Sequence, residues 1–111
     1  MKKLDLITAQ KNEILNAVIE KIYDTNSRTI IVLNKKKVVG VISEGDIIKR
    51  LIYKKSLNIT VDKIMNKSFK FLNSNDLKKA KKIFKETGIG LIPIINQKME
   101  IKNYIAIVDI I

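Results

Sequence analysis

TIIVLNKKKVVGVISEGDIIKRLIY, residues 29–53, contains two apolar runs, a lysine-rich turn and an amphipathic segment. The apolar runs predict one strand over Ile30–Leu33 and a second over Val38–Ile42, and Asn34–Lys37 between them predicts a turn. The segment Ile47–Tyr53 predicts a helix that has its apolar residues on one face. The stretch therefore predicts a strand, a turn, a strand and a helix in that order.

Three residues at the end of the second strand and the start of the helix suit a binding site. Gly40 removes a side chain from the strand, which indicates a bend or the close approach of a ligand or another backbone. Ser43 provides a hydroxyl and Asp46 a carboxylate at the start of the helix. In a structural role, Ser43 caps the helix and Asp46 complements the positive end of its dipole. In a functional role, the unpaired amides of the same helix start bind a phosphate. The two roles are compatible because capping positions both side chains.

The sequence on either side predicts further elements of the same kinds. Upstream, Leu4–Ala9 is a short apolar segment, and Glu13–Tyr23 predicts a helix with one apolar face. Downstream, Phe69–Leu72 is again a short strand-like segment, and Asn73–Asn75 after it are good N-cap residues. The remaining predicted elements are a helix from Leu77 with Gly88 just past its end, a strand over Leu91–Ile95, a turn over Asn96–Glu100 and a strand over Tyr104–Val108.

The two halves of the chain are similar to each other at a constant offset of 62 residues. Under this offset Leu15 aligns with Leu77, and Ile30–Asn34 aligns with Ile92–Asn96. Such self-similarity is typical of a repeated unit, and each half is too small to close a hydrophobic core alone. We therefore predict an α+β chain of two repeats, residues 1–57 and 58–111, with the final helix of the second repeat truncated. The alternative is two unrelated halves that look alike because the composition has low complexity.

Residues Gly40–Asp46 have the pattern glycine, two apolar residues, a hydroxyl residue, two further residues and an aspartate. After an apolar strand and a polar turn, this pattern resembles the nucleotide-contacting signature of the CBS domain. In the second half, Val61–Met65 looks like the Val-x-Asp-Ile-Met entry to a second CBS repeat, and Ile92–Ile95 looks like its apolar-Pro-Val strand. The resemblance covers nearly the whole chain. It implies tandem β-α-β-β-α CBS repeats related by a pseudo-twofold axis, with the two sheets packed together and the helices outside.

The resemblance also implies a ligand and its contacts. In CBS domains the hydroxyl residue and nearby main chain meet a phosphate, and the aspartate accepts hydrogen bonds from the ribose. The implied regulatory ligand is AMP, ADP, ATP or a guanine nucleotide, bound in the cleft between the repeats, and no covalent cofactor is implied. The implied binding residues are Gly40, Val41, Ile42, Ser43 and Asp46 at the phosphate and ribose, Ile7, Thr8 and Ile30 near the base, and Asp109 at a second site.

The second half departs from the CBS pattern at two positions. Counting back from Asp109, Asn103 stands at the glycine position and Ala106 at the hydroxyl position. Asp109 can still meet a ribose, but the hydroxyl on the phosphate side is missing. We therefore expect one complete site and one degenerate site.

The composition limits the chemistry of the chain. Its 111 residues include no Cys and no His, which excludes thiol and imidazole nucleophiles, disulfides and the usual zinc sites. Acid–base catalysis needs two groups brought together with shifted pKa values, and no such pair is evident, so we expect neither an enzyme nor a metal site. No apolar run reaches signal-peptide length or the ~20 residues that span a bilayer. We therefore expect a cytoplasmic location.

The net charge of +11 raises nucleic-acid binding as an alternative. Lys greatly outnumbers Arg, whereas phosphate and base recognition favours Arg. Lys35–Lys37 are expected in an exposed turn and Lys78–Lys85 on the outer face of a helix, without the aromatic platforms that single-strand binding uses. Arg28 could reach a phosphate, although a surface role fits it better.

Further motifs resemble one CBS subgroup. Ser43–Ile47 is similar to the Thr-Asp-Gly-Asp-Ile motif of that subgroup. The segments Met65–Lys67 and Val108–Ile111 also look like the corresponding segments of the subgroup. CBS pairs of that subgroup lie N-terminal to sugar-phosphate nucleotidyltransferases, so the resemblance implies a C-terminal catalytic domain in a longer protein. The chain stops where its first half begins the last helix, which suggests a fragment.

Three functional classes remain open from the sequence. The first is a regulatory module that binds an adenosine- or guanosine-type nucleotide. The second is a ligand-free CBS pair that serves as a dimerisation scaffold, and the third is a basic nucleic-acid-binding domain. CBS pairs commonly associate through their helices, and we expect a homodimer through the apolar face formed by Ile47, Ile48, Leu51 and Ile52.

Overall fold

The longer helices and the strands of the two hairpins follow the order expected from the sequence. The computed structural model of the chain describes residues 3–25 and 27–110. The α-helices are α1 (Lys3–Leu6), α2 (Leu15–Asp24), α3 (Glu44–Ile52) and α4 (Leu77–Thr87). The β-strands are β1 (Thr8–Gln10), β2 (Thr29–Asn34), β3 (Lys37–Ser43), β4 (Leu91–Ile95) and β5 (Ile101–Ala106). Short 3₁₀ helices cover Val61–Lys63 and Ile107–Asp109.

Each half of the chain contributes one sheet. In the first, β2 pairs antiparallel with β3 and parallel with β1, and in the second, β4 pairs antiparallel with β5. The predicted strand-like segment Phe69–Leu72 is wrong as a strand. Only Leu72 bonds to β4: its N–H donates to Pro93 O, and its carbonyl accepts from the Ile95 N–H, each at 2.9 Å. The second sheet therefore has a single parallel bridge where the first sheet has β1.

Three hydrophobic clusters lie between the layers of the fold. The central cluster joins the two sheets and includes Ile31 from β2 and Leu91 from β4. A second cluster packs α2 and α3 on the first sheet, and a third packs Ala80 and Phe84 of α4 on the second sheet. Because β2 is covered on both faces, its five residues from Thr29 to Leu33 are all buried. The predicted α+β fold, with packed sheets and outer helices, is confirmed.

Equivalent hydrogen bonds relate the two halves. The Glu44 N–H donates to Arg28 O at 3.0 Å, and the Ile107 N–H donates to Gly90 O at 2.9 Å. Arg28 and Gly90 differ by 62 positions, whereas Glu44 and Ile107 differ by 63, because the turn of the second hairpin is one residue longer. The offset seen in the sequence is therefore a structural repeat.

The ends of several elements differ from the predictions. α3 begins at Glu44 rather than Ile47, because the capping residues start the helix one turn earlier than the apolar pattern indicates. The N-cap of α4 is Asp76 rather than one of Asn73–Asn75. Gly88 ends α4 in the left-handed conformation with φ 72°, which confirms the predicted C-cap.

The last predicted strand also changes its bounds. β5 starts at Ile101 and ends at Ala106, and Val108 belongs to the 3₁₀ helix that follows. Pairing along β4 ends opposite Ala106, so the chain turns away there. Ile111, the end of the predicted motif Val108–Ile111, lies outside the described residues.

The segment after α3 packs on the first half of the chain. The Leu15 N–H donates to Ile59 O at 2.8 Å, and Val41 and Asn66 exchange two backbone hydrogen bonds. Val61 lies fully buried in the cluster beneath α2 and α3. Residues 59–66 thus contact the first repeat, although the predicted division assigns them to the second. That division, 1–57 and 58–111, stays a prediction.

Within the described ranges, no helix has the length and apolar character that crossing a membrane requires.

Candidate functional site

Two clefts of nearly equal volume lie between the halves of the chain. We name each after the aspartate that lines it. The Asp46 cleft measures about 750 Å³ and the Asp109 cleft about 740 Å³, a size that suits a small-molecule ligand. The residues that line the Asp46 cleft are Ser27, Arg28, Thr29, Val41, Ser43, Glu44, Gly45, Asp46, Ile48, Asn66, Thr87, Gly88, Ile89, Gly90 and Ile107. Both repeats therefore contribute to it.

Asp46 is positioned by the start of α3. Ser43 is the N-cap, and Asp46 is the third helical residue, an arrangement known as a capping box. Asp46 Oδ2 accepts hydrogen bonds from the Ser43 N–H at 2.9 Å and from the Ser43 hydroxyl at 3.1 Å. Both bonds fall on Oδ2, so Oδ1 has no hydrogen-bond partner within residues 3–25 and 27–110. The carboxylate is held in one orientation with one oxygen available to a ligand.

A pair of hydroxyl residues lies side by side in the Asp46 cleft. The register of β2 and β3 pairs Thr29 with Ser43. At the equivalent position of the second sheet, Leu91 pairs with Ala106. The register thus confirms that Ala106 occupies the position of Ser43, as the count from Asp109 predicted. The register also shows that Leu91 occupies the position of Thr29, so the second hydroxyl of the pair is replaced as well.

Arg28 and Glu44 form an ion pair at the edge of the Asp46 cleft. Arg28 Nε and Glu44 Oε2 are 3.5 Å apart, and the side chains are 75% and 46% exposed. Arg28 has a left-handed backbone (φ 54°), which is uncommon for a residue with a side chain. Among the described residues that line this cleft, the one cationic side chain is therefore already paired with a carboxylate.

The Asp109 cleft has a different lining. It consists of Lys3, Asp5, Leu6, Ile7, Lys21, Asp24, Thr25, Ser27, Leu91, Tyr104, Ala106, Val108 and Asp109. Lys3 Nζ lies 3.9 Å from Asp109 Oδ2 and 5.6 Å from the centroid of the Tyr104 ring. Asp109 thus has a cation from α1 beside it, whereas Asp46 is bonded by its own helix cap.

The structure brings only part of the predicted nucleotide site together. Val41, Ser43 and Asp46 line one cleft. Gly40 is buried and faces residues 65–66 instead, because a Cβ there would lie 2.6 Å from Met65 Sδ and 3.0 Å from Asn66 O. The close approach expected at Gly40 is made by another part of the chain.

The other predicted residues are distributed over the core and the second cleft. Ile30 and Ile42 are completely buried in the cluster beneath α2 and α3. Ile7 lines the Asp109 cleft rather than the Asp46 cleft. Thr8 is absent from the lining of both clefts, and its hydroxyl donates to Leu4 O at 2.9 Å. The predicted base contacts of Ile7, Thr8 and Ile30 therefore do not share the Asp46 cleft.

Sequence reasoning missed the residues that precede the central strands. Ser27 lines both clefts, and residues 87–90 line the Asp46 cleft from the second repeat. Gly90 approaches the first repeat so closely that a Cβ would lie 2.9 Å from Ser27 O. The offset of 62 was the available signal, because it aligns residues 27–28 with residues 89–90.

No metal-binding group of three or more acidic, His or Cys side chains occurs in the part of the chain that the structure describes.

Comparison with known proteins identifies the fold. The sequence model of the CBS domain matches residues 1–53. The structure superposes on the CBS domain protein PAE2072 from Pyrobaculum aerophilum with a TM-score of 0.79 and 17% identity, covering 98% of this chain and 89% of that one. The chain has the fold of a CBS-domain pair. PAE2072 was solved in complex with AMP.

Two further solved structures give similar superpositions. The CBS domain pair of protein MJ0100, in complex with 5′-methylthioadenosine and S-adenosyl-L-methionine, has a TM-score of 0.78 and 20% identity, covering 94% of this chain and 87% of that one. Protein MJ1225 from Methanocaldococcus jannaschii has a TM-score of 0.79 and 25% identity, covering 95% of this chain but 44% of that one. No curated protein matches the sequence. The tandem CBS architecture predicted from the sequence is confirmed.

Proposed function

We propose that this CBS-domain pair is a regulatory module that binds an adenosine-type nucleotide in the Asp46 cleft. The observation that carries the proposal is the capped Asp46 carboxylate beside the Ser43 hydroxyl, in a cleft of about 750 Å³ between the repeats. Two proteins of the same fold support the ligand class, since PAE2072 is complexed with AMP and MJ0100 with 5′-methylthioadenosine and S-adenosyl-L-methionine.

In this proposal Asp46 binds the ribose. Oδ1 accepts from the ribose hydroxyls while Oδ2 keeps its bond from the Ser43 N–H, so this part of the helix cap remains when the Ser43 hydroxyl turns from Oδ2 to donate to the phosphate. Each hydrogen bond to a charged group contributes about 1.5–3 kcal/mol. The Ser43 hydroxyl and the guanidinium of Arg28 belong to residues that line the cleft, and they are the expected phosphate contacts. Val41 and Ile107 provide apolar contact to the ligand.

The first experiment is a thermal-shift panel of adenosine, guanosine and cytidine compounds at millimolar concentration. A ligand that binds only the folded chain raises its stability by about 2.7 kcal/mol at a hundred times Kd, so a micromolar ligand raises the melting temperature by several degrees. We expect adenosine compounds to produce the largest rise and calorimetry to give about one strong site per chain. If no compound shifts the melting temperature, the nucleotide proposal is overturned.

The catalytic partner is a further part of the proposal. The similarity of Ser43–Ile47 and Met65–Lys67 to the nucleotidyltransferase-linked subgroup supports a role in regulating such an enzyme, with catalysis residing outside this module. The test is nucleotidyl transfer by the longer protein, assayed with and without the nucleotide that binds the module. A rate that is independent of that nucleotide contradicts this part. The expected cytoplasmic location stays a prediction.

A dimerisation scaffold is the second candidate function, and the outer face of α3 favours it. Ile48, Leu51 and Ile52 are 46%, 56% and 68% exposed, and Tyr53 beside them is 65% exposed. Exposed apolar patches of this kind mark interaction surfaces. Light scattering at micromolar concentration is expected to give twice the chain mass of 12.7 kDa, and Leu51→Lys is expected to return the monomer. A monomeric parent chain rejects this candidate.

A further inference from the structure

The charged side chains that line the Asp46 cleft have a net negative charge, whereas the whole chain has a net positive charge. The chain carries a net charge of +11. Among the lining residues within 3–25 and 27–110, Arg28 is the single cation, and Glu44 and Asp46 are anions. A strongly basic protein thus has a ligand cleft with one more negative than positive side chain, so the cleft does not share the attraction for polyanions that the rest of the surface provides.

Two of the backbone donors at the start of α3 already have acceptors within the chain. A free helix start offers several N–H groups to a phosphate. Here the Ser43 N–H donates to Asp46 Oδ2 at 2.9 Å, and the Glu44 N–H donates to Arg28 O at 3.0 Å. Two acidic side chains in the first turn, Glu44 and Asp46, already complement the helix dipole. These contacts reduce the capacity of this helix start to bind several phosphate groups.

We infer that the Asp46 cleft selects adenosine-type ligands with no more than one phosphate group, and that the Arg28–Glu44 pair sets this limit. This inference rests on the proposed function. Arg28 can exchange Glu44 for a single phosphate because both side chains are substantially exposed and their contact of 3.5 Å is loose. Any further phosphate then meets the freed carboxylate of Glu44 without a cation from the cleft lining to balance it.

The test compares adenosine, AMP, ADP and ATP by calorimetry. Magnesium is omitted so that each nucleotide keeps its full charge, and the ionic strength is about 0.01 M, where the Debye length is about 30 Å. We expect ATP to bind at least about tenfold more weakly than AMP. Arg28→Gln is expected to weaken AMP about 3- to 10-fold and leave adenosine unchanged, since an exposed ion contact contributes little more than that.

Glu44→Gln distinguishes a local effect from general charge. It is expected to strengthen ATP about 3- to 10-fold and to leave adenosine unchanged. Glu20→Gln is the matched control, since Glu20 is an exposed carboxylate of α2 outside both clefts and its loss changes the net charge equally. Melting curves of each unliganded variant verify that the fold is kept.

The outcomes separate the inference from the proposed function. If ATP binds the parent chain as tightly as AMP, or if Glu20→Gln strengthens ATP as much as Glu44→Gln does, the charge limit is overturned and nucleotide binding stands. If none of the four compounds binds, the proposed function itself is overturned.

Discussion

The Asp46 and Asp109 clefts have almost the same volume, but they differ in the side chains at equivalent positions. Each lies between the repeats, and each contains an aspartate near the end of its sheet. In the Asp46 cleft, two paired hydroxyl residues, Thr29 and Ser43, accompany the carboxylate. In the Asp109 cleft, the equivalent pair is apolar, Leu91 and Ala106. The repeat preserves the shape of the cleft, whereas a few side chains decide what it can bind.

The two aspartates also differ in how they are held. Asp46 belongs to a helix of nine residues and is fixed by its capping bonds. Asp109 lies at the end of a three-residue 3₁₀ helix and has an exposed contact with Lys3 at 3.9 Å. Exposed pairs of this kind contribute about 0–1 kcal/mol. A rigid carboxylate loses less entropy when it binds a ligand, so the Asp46 cleft is the better prepared of the two.

The largest expected difference is between Asp46→Ala and Asp109→Ala. If the Asp46 contacts with ribose contribute roughly 2–3 kcal/mol, their loss weakens a micromolar nucleotide some 30- to 150-fold in calorimetry. Asp109→Ala is expected to change the affinity less than about threefold, because Leu91 and Ala106 replace the paired hydroxyl residues in its cleft. Equal losses from the two substitutions contradict the division into a complete and a degenerate site.

Asp76→Ala provides the control for helix capping in this experiment. Asp76 Oδ1 caps α4 by accepting from the Lys79 N–H at 3.0 Å, and Asp76 lines neither cleft. Loss of either cap costs about 1 kcal/mol of stability. Asp76→Ala should therefore lower the melting temperature about as much as Asp46→Ala but keep the nucleotide affinity of the parent. A similar affinity loss in both variants assigns the effect to folding.

The sequence predicted the features of the Asp46 cleft that depend on neighbouring residues. Ser43 and Asp46 are three positions apart, so the start of a helix brings them together whatever the rest of the chain does. Ala106 was aligned with Ser43 by counting, and the strand register agrees. The fold class followed from the repeat, because two half-cores of the same pattern can bury their apolar faces on each other.

The contacts between the halves could not be predicted in the same way. Ile7 was expected near the base beside Asp46 but lines the Asp109 cleft. Its location depends on how the two sheets cross, which side-chain periodicity within one strand does not specify. The approach of Gly90 to Ser27 likewise joins residues far apart in the sequence. The resemblance to CBS domains predicted which residues take part in binding, whereas the packing of the two halves determines which cleft each residue lines.

Gly90→Ala is the next largest perturbation, and it acts on the boundary between the clefts. The new Cβ would lie 2.9 Å from Ser27 O, a backbone atom that cannot move without shifting β2. Overpacking of this kind costs about 1–3 kcal/mol, measured as a loss in urea unfolding. Gly45→Ala is the comparison, because the nearest atom to a Cβ there is Ser43 Oγ at 3.7 Å, an ordinary contact distance. A smaller loss at Gly90 than at Gly45 would contradict this account of the boundary.

Exchanging the hydroxyl positions has a smaller expected effect. Ser43→Ala removes the N-cap of α3 and the bond to Asp46, and it should cost about 1 kcal/mol in thermal unfolding. Ala106→Ser adds a hydroxyl to the other cleft, but Leu91 still faces it in place of a threonine. Calorimetry of Ala106→Ser should therefore still give about one nucleotide per chain. If Ala106→Ser instead creates a second site of similar affinity, the Ser43 hydroxyl alone accounts for the difference in nucleotide binding between the two clefts.

The smallest expected effect concerns the hairpin turns, which give the two repeats their different lengths. In the longer second turn, Asn96 Nδ2 donates to Glu100 Oε1 at 2.8 Å. This hydrogen bond, together with the nearby Lys102, Lys98 and Lys36, lowers the pKa of Glu100 below its ordinary value of 4.5.

Because the folded pKa of Glu100 is the lower one, the bond stabilises the fold fully above pH 4.5, and this stabilisation is lost as the pH falls through the folded pKa. Glu100→Gln should therefore lower the melting temperature slightly near neutral pH and make it less sensitive to acid, so that the variant and the parent converge at low pH. The first turn, residues 34–37, contains no carboxylate, so it contributes nothing to the dependence of the melting temperature on pH in the acid range. Parallel melting curves for the parent and Glu100→Gln across the acid range would show that the longer turn gains no stability from its carboxylate.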